Sequence, residues 1–156
     1  EKLRILQDIA YGIEKIHNKQ IVHQDLHSGN LLVYSNTQRN YVKVAYFGIS
    51  KPLNSESNMK GIFGVIPYIA PEIFIGEKYT KASDIYSFGM VMWEVTSGKR
   101  PFADCEHDSS LILNILEEDR PIIVDGTPQF LRKLMESCWD ANPAKRPTAT
   151  KIVKVL

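Results

Sequence analysis

Cysteine is scarce. Cys105 and Cys138 are the two present in 156 residues, far apart and with no nearby cluster of Cys and His. That excludes a disulfide framework and a zinc-ligand spacing, and it makes a reducing, cytoplasmic setting the expectation. A surplus of charge is also missing. Nineteen Lys and Arg face eighteen Asp and Glu, a net charge of +1, so no strong field draws the chain to nucleic acid or to an anionic membrane. No apolar run approaches the ~20 residues that span a bilayer, and Glu1 stands where a secretory signal would need a basic start. Position 1 is not Met, so the chain is expected to be a fragment. Repeats and low-complexity stretches are absent. A length of 156 residues with 44 % apolar composition allows one hydrophobic core and is short for a second domain.

Along the chain, Leu6, Ile9, Ala10, Ile13 and Ile16 follow helical spacing and Asn18 closes the run, which predicts an amphipathic helix. Ile21 and Val22 form a brief extended stretch. Leu31 to Tyr34 and Tyr41 to Ala45 flank the polar segment 35–40 and predict a hairpin. From Gly48 to Gly64 the sequence is rich in Ser, Asn, Gly and Lys without periodicity, which reads as a long surface loop. Ser83 to Ser97 is apolar almost all round and ends at Gly98, predicting a buried central helix with a glycine stop. Ser109 to Glu118, Pro128 to Trp139 and Pro147 to Leu156 predict three further helices with prolines between them. The pattern is α+β, mostly α: helix, small β-hairpin, long loop, helical bundle. Trp93 and Trp139 are most simply core residues.

Chemistry concentrates in Ile-Val-His-Gln-Asp-Leu-His-Ser-Gly-Asn-Leu-Leu-Val, residues 21–33. Taken singly, Asp25 and Asn30 could be loop residues bonding their own backbone. Their company argues otherwise. Ala45-Tyr46-Phe47-Gly48 follows a strand. Ala70-Pro71-Glu72 closes the long loop, Ser83-Asp84-Ile85-Tyr86-Ser87-Phe88-Gly89 opens the central helix, and Cys138-Trp139 precedes Pro143 and Arg146-Pro147. In this order the landmarks resemble the eukaryotic protein kinase domain, with its H-R-D-L-x-x-x-N loop, D-F-G and A-P-E, and most of all its tyrosine-kinase-like group.

The resemblance implies a protein-kinase-like fold, with residues 1–156 a partial domain (the large C-terminal lobe) and 46–72 the activation segment. It implies that Asp25 takes the proton-acceptor position and Asn30 a Mg²⁺ position. Asn30 and Leu32 would lie on the nucleotide side. His23 and Phe47 would belong to the packed column joining two lobes, Asp84 would tie down the catalytic-loop backbone, and Glu72 and Arg146 would form a buried ion pair. ATP and Mg²⁺ are the implied cofactors, and a protein substrate or partner kinase the implied partner. Nucleic acid, membrane and a disulfide partner are not implied.

Departures from the pattern decide what to expect of activity. Tyr46 stands where the D-F-G Asp binds Mg²⁺, and a phenol is neither anionic at neutral pH nor a hard carboxylate ligand. Gln24 replaces an Arg that docks phosphorylated loop residues, so phosphorylation of Ser50, Ser55 or Ser57, otherwise read as solvated loop serines, is expected not to order the loop through residue 24. His27 and Val65 replace the Lys and Thr typical of serine/threonine kinases, and the loop also lacks the alanine- and arginine-rich form of tyrosine kinases; the resemblance to the tyrosine-kinase-like group implies Ser/Thr more than Tyr and leaves the choice of acceptor open. Upstream of Asp25 the sequence has Gly12 alone among glycines and no V-A-I-K-like strand, so neither the Gly-rich loop nor the strand Lys is present. Strong impairment is therefore expected. The alternative is a pseudokinase scaffold or interaction module that binds a partner protein beside the helices from Ser109 onward.

Overall fold

Helix α1 spans Lys2–Asn18 and buries Leu6, Ile9, Ala10, Ile13 and His17, a stripe at three- and four-residue steps. The periodicity points to Ile16 as the last core position. The stripe reaches His17 instead, because the four-residue step from Ile13 lands there, and Ile16 is only half-buried. In this computed structural model the described residues are 1–35, 40–45, 48–52 and 61–156.

Among the described residues four short strands follow. Strand β1 (Ile21–Val22) pairs antiparallel with β4 (Lys51–Pro52). Strand β2 (Leu31–Ser35) pairs antiparallel with β3 (Asn40–Val44), in register from Leu31 opposite Val44 to Ser35 opposite Asn40. The predicted hairpin is thus present, with Ser35 Oγ donating to Asn40 Oδ1 at its mouth. The stretch 48–64 is not loop throughout: Lys51 and Pro52 supply the second strand of a two-stranded sheet. Two residues are too few to show the period-2 alternation by which a strand is read.

Beyond Gly64 the chain is helical, with α2 at Pro71–Phe74, α3 at Lys81–Ser97, α4 at Ser109–Leu116, α5 at Gln129–Cys138 and α6 at Ala149–Val155. Helix α3 is the axis of the fold. Every residue from Ser83 to Trp93 is buried, and Thr80 caps its start through a reciprocal pair with Ser83. Gly98 ends it at φ 73°, a left-handed conformation that glycine adopts without steric cost. Helices α1 and α5 pack against α3, and α6 packs on α1. Trp93 and Trp139 are both buried, and Trp93 Nε1 donates to the Ile122 carbonyl. The result is an α+β fold dominated by helix around one core. Among the described residues no helix is long and apolar enough to cross a membrane.

Candidate active site

The loop between β1 and β2 is held from below by one carboxylate. Asp84, in the first turn of α3, is 2 % exposed. Its Oδ2 accepts the His23 amide N–H at 2.8 Å and lies 2.9 Å from His17 Nε2, while Oδ1 accepts the Gln24 amide N–H at 3.0 Å. A buried carboxylate persists when partners satisfy its oxygens, and here three do. The clamp also holds Gln24 at φ 71°, a region that costs a side-chain-bearing residue roughly 1–2 kcal/mol. His17 escaped the sequence reading. Its signal was a polar side chain on the apolar stripe of α1.

Above the clamp, His23 orders the turn. Its Nδ1 accepts the Asp25 amide N–H at 3.3 Å, so the ring proton sits on Nε2, which donates to the Ala45 carbonyl at 2.9 Å. Asn30 Nδ2 donates to the Asp25 carbonyl at 2.7 Å and to Asp25 Oδ2 at 3.0 Å. Asp25 and Asn30 are thereby locked together, and the Asn30 amide oxygen is turned away from Asp25. Leu32 lies half-buried on β2, opposite Lys43. Ser50 is not a free loop hydroxyl: its Oγ donates to the His23 carbonyl at 3.0 Å. Ser55, Ser57, Tyr46 and Phe47 lie outside the described residues.

Three further contacts fix the chain from Gly61 to Glu72. The Tyr79 hydroxyl accepts the Phe63 amide N–H and donates to the Phe63 carbonyl. The Tyr68 hydroxyl donates to Glu94, and burial first, then this bond, pushes the Tyr68 phenol well above its usual range. Arg146 grips Glu72 with two parallel bonds, Nη1 to Oε1 at 2.7 Å and Nη2 to Oε2 at 2.8 Å. The remaining Arg146 donors reach the carbonyls of Ala82 and Asp140. This is the bidentate geometry that suits a guanidinium. Val65, in contrast, is exposed and holds no polar group toward Asp25.

The kinase reaction uses ATP and Mg²⁺, so the donor set can be tested for fit. Magnesium takes oxygen ligands in near-octahedral geometry, usually one or two carboxylates with phosphates and water. The loop offers the Asn30 amide oxygen, but Asp25 Oδ2 is engaged by Asn30. Residue 46 is a tyrosine, so the second, anionic oxygen ligand of the pattern is missing from the sequence. The set does not fit the Mg²⁺ centre of the kinase pattern.

Comparison with known proteins agrees with the geometry. A family model described as protein tyrosine and serine/threonine kinase matches residues 1–156. A putative serine/threonine-protein kinase/receptor, R831, of Acanthamoeba polyphaga mimivirus is 41 % identical over 157 residues, covering 99 % of this chain and 9 % of that protein. The serine/threonine/tyrosine-protein kinase HT1 of Arabidopsis thaliana is 36 % identical, over 99 % of this chain and 39 % of its own length. The dual specificity protein kinase pyk3 of Dictyostelium discoideum is 33 % identical, over 98 % of this chain and 11 % of its own length. The chain thus spans well under two thirds of each of these relatives. With the match running from Glu1 to Leu156 and the loop, clamp and ion pair assembled in one fold, the chain belongs to the protein tyrosine and serine/threonine kinase family.

Proposed function

We propose that this chain is the C-terminal-lobe portion of a protein kinase domain of the tyrosine-kinase-like type, in which phosphoryl transfer to protein hydroxyls is strongly impaired. The carrying observation is the mismatch within one site. The proton-acceptor position, Asp25, is locked to Asn30, yet Tyr46 stands where the metal-binding carboxylate belongs. Residues 46–72 form the activation segment in this reading. Ser and Thr are the favoured acceptors, in keeping with relatives named as serine/threonine and dual specificity kinases. Cytoplasmic residence belongs to the same proposal, since Cys105 and Cys138 are both free thiols, the state a reducing compartment maintains.

The test is phosphotransfer by the full-length protein compared with its Tyr46→Asp variant. The variant is expected to turn over at least ~10²-fold faster, the scale of losing one key electrostatic group. Equal turnover by the two forms overturns the impairment. A second reading, a scaffold that engages a partner protein, is favoured by exposed apolar side chains on α4 and in the segment after it: Leu113 is 59 % and Ile122 89 % exposed. Partner binding that persists without nucleotide and is lost in Leu113→Asp supports it.

A further inference from the structure

His27 occupies the position where serine/threonine kinases carry a lysine, and its surroundings assign it a different kind of chemistry. The residue caps the short 3-10 turn Ser28–Asn30: its Nδ1 accepts the Gly29 amide N–H at 3.1 Å. A nitrogen that accepts a backbone N–H carries no proton, so the ring proton resides on Nε2. The imidazole is therefore neutral in this arrangement. Gly29 makes it possible, since a Cβ there would fall 2.8 Å from His27 Cε1 and 2.9 Å from Nδ1, closer than real Cβ atoms come. The His27 ring also lies against Tyr68, with centroids 5.9 Å apart and planes tilted by 50°.

The protonated nitrogen lies near Asp25. Nε2 lies 3.5 Å from Asp25 Oδ1, just beyond the length of a good hydrogen bond. That oxygen is buried and has no hydrogen-bond partner among the described residues. The other carboxylate oxygen is held by Asn30. On its open side Oδ1 faces Gly64, at φ 113°, where a Cβ would stand 3.3 Å from it. A buried carboxylate oxygen with no donor is costly, and the His27 Nε2–H is a donor at 3.5 Å from it.

We propose that His27 is a positioning residue for Asp25: a neutral donor that, with Asn30, fixes the plane of the proton-acceptor carboxylate, and not a fixed cation. The proposal rests on the reading of Asp25 as the proton-acceptor position. Among the described residues the His27–Asp25 pair is met by Tyr68 from the turn before α2, by His23, and by Asn30 at the end of the 3-10 turn, and Tyr79 before α3 feels the Asp25 charge.

Two substitutions separate positioning from simple capping. Asn at 27 keeps an acceptor at the Nδ1 position but has no donor long enough to reach Asp25. Gln places an N–H at the Nε2 position. The experiment uses full-length protein with ¹⁵N-labelled histidine and ¹³C-labelled aspartate, read by NMR at neutral pH. His27 is expected as the Nε2–H tautomer. The Asp25 carboxyl resonance is expected to move in His27→Asn and to return toward its original position in His27→Gln. In a Tyr46→Asp background, kcat is expected to fall about tenfold in His27→Asn with KM nearly unchanged, the loss of one hydrogen bond, and to recover in His27→Gln. An Nδ1–H tautomer, or an Asp25 resonance indifferent to His27→Asn, overturns the proposal. These resonances require no turnover, so a Tyr46→Asp protein that remains inactive counts against the proposed function alone.

Discussion

Tyr86 shows how a single side chain can be well packed and poorly satisfied at once. Two guanidinium groups lie over its ring, with Arg120 Cζ and Arg146 Cζ each 5.1 Å from the centroid, a favourable cation–π arrangement. Its hydroxyl is buried and lacks a hydrogen-bond partner among the described residues. Burial pushes the phenol up to about 12 from its ordinary 10.0, with Arg120 and Arg146 partly opposing the shift. The stability linked to this group is complete below pH 10 and is lost as pH rises toward 12, because the unfolded chain ionises first. Tyr86→Phe keeps the ring against the arginines and removes the unpartnered oxygen. Chemical denaturation at neutral pH is expected to show a gain on the order of 1 kcal/mol, with a shallower loss of stability between pH 10 and 12. A variant less stable than the original at neutral pH would mean that the hydroxyl has a partner.

At the scale of elements, the crossing of α3 over α5 is set by Gly89. A Cβ at that position would lie 3.0 Å from Cys138 Cβ, 3.4 Å from the Trp139 amide nitrogen and 3.5 Å from Trp139 Cβ. Helix propensity favours alanine over glycine by about 1 kcal/mol, while overpacking costs about 1–3 kcal/mol. The opposing atoms belong to backbone or sit next to it, and Cys138 is fully buried, so overpacking wins. Gly89→Ala is expected to lose about 1 kcal/mol, read as a lower urea midpoint at constant slope; a higher midpoint would show that the helices are free to separate. The helices themselves were legible because they are periodic and punctuated by Gly98 and prolines. Sequence reading placed the start of α3 at Ser83, two residues late, because it took no account of Thr80 as a cap. The pairing of Ile21–Val22 with Lys51–Pro52 was not legible, since it joins two dipeptides across thirty residues with no pattern in either. The motif residues at 25 and 30 were found by spacing. The contacts of His27 with Gly29 and Asp25 depend on ring orientation, which spacing does not encode.

Over the whole molecule, one ion pair links the end of the segment preceding α3 to the C-terminal helices. The Arg146 side chain is fully buried and that of Glu72 is 10 % exposed, and they stand 74 positions apart in sequence. Removing one partner of such a pair leaves an uncompensated charge and costs about 3–5 kcal/mol. Arg146→Ala is expected to lose that much in equilibrium unfolding, with faster amide exchange in α2. The double variant Glu72→Gln, Arg146→Met is expected to recover part of it, since neither charge then stays buried. A loss below about 1 kcal/mol in the single variant would place the pair in solvent-like surroundings.

The Asp84 clamp has a consequence in time as well as in space. The amides it holds, those of His23 and Gln24, lie 61 and 60 positions earlier in the chain. A ribosome adding roughly 5–20 residues per second exposes the loop several seconds before its carboxylate exists. During that interval Gln24 has nothing to hold it in a left-handed conformation, and the loop remains an unconstrained nascent segment. Only when α3 has emerged does the loop acquire its shape, so the site is assembled late in synthesis from a part made early.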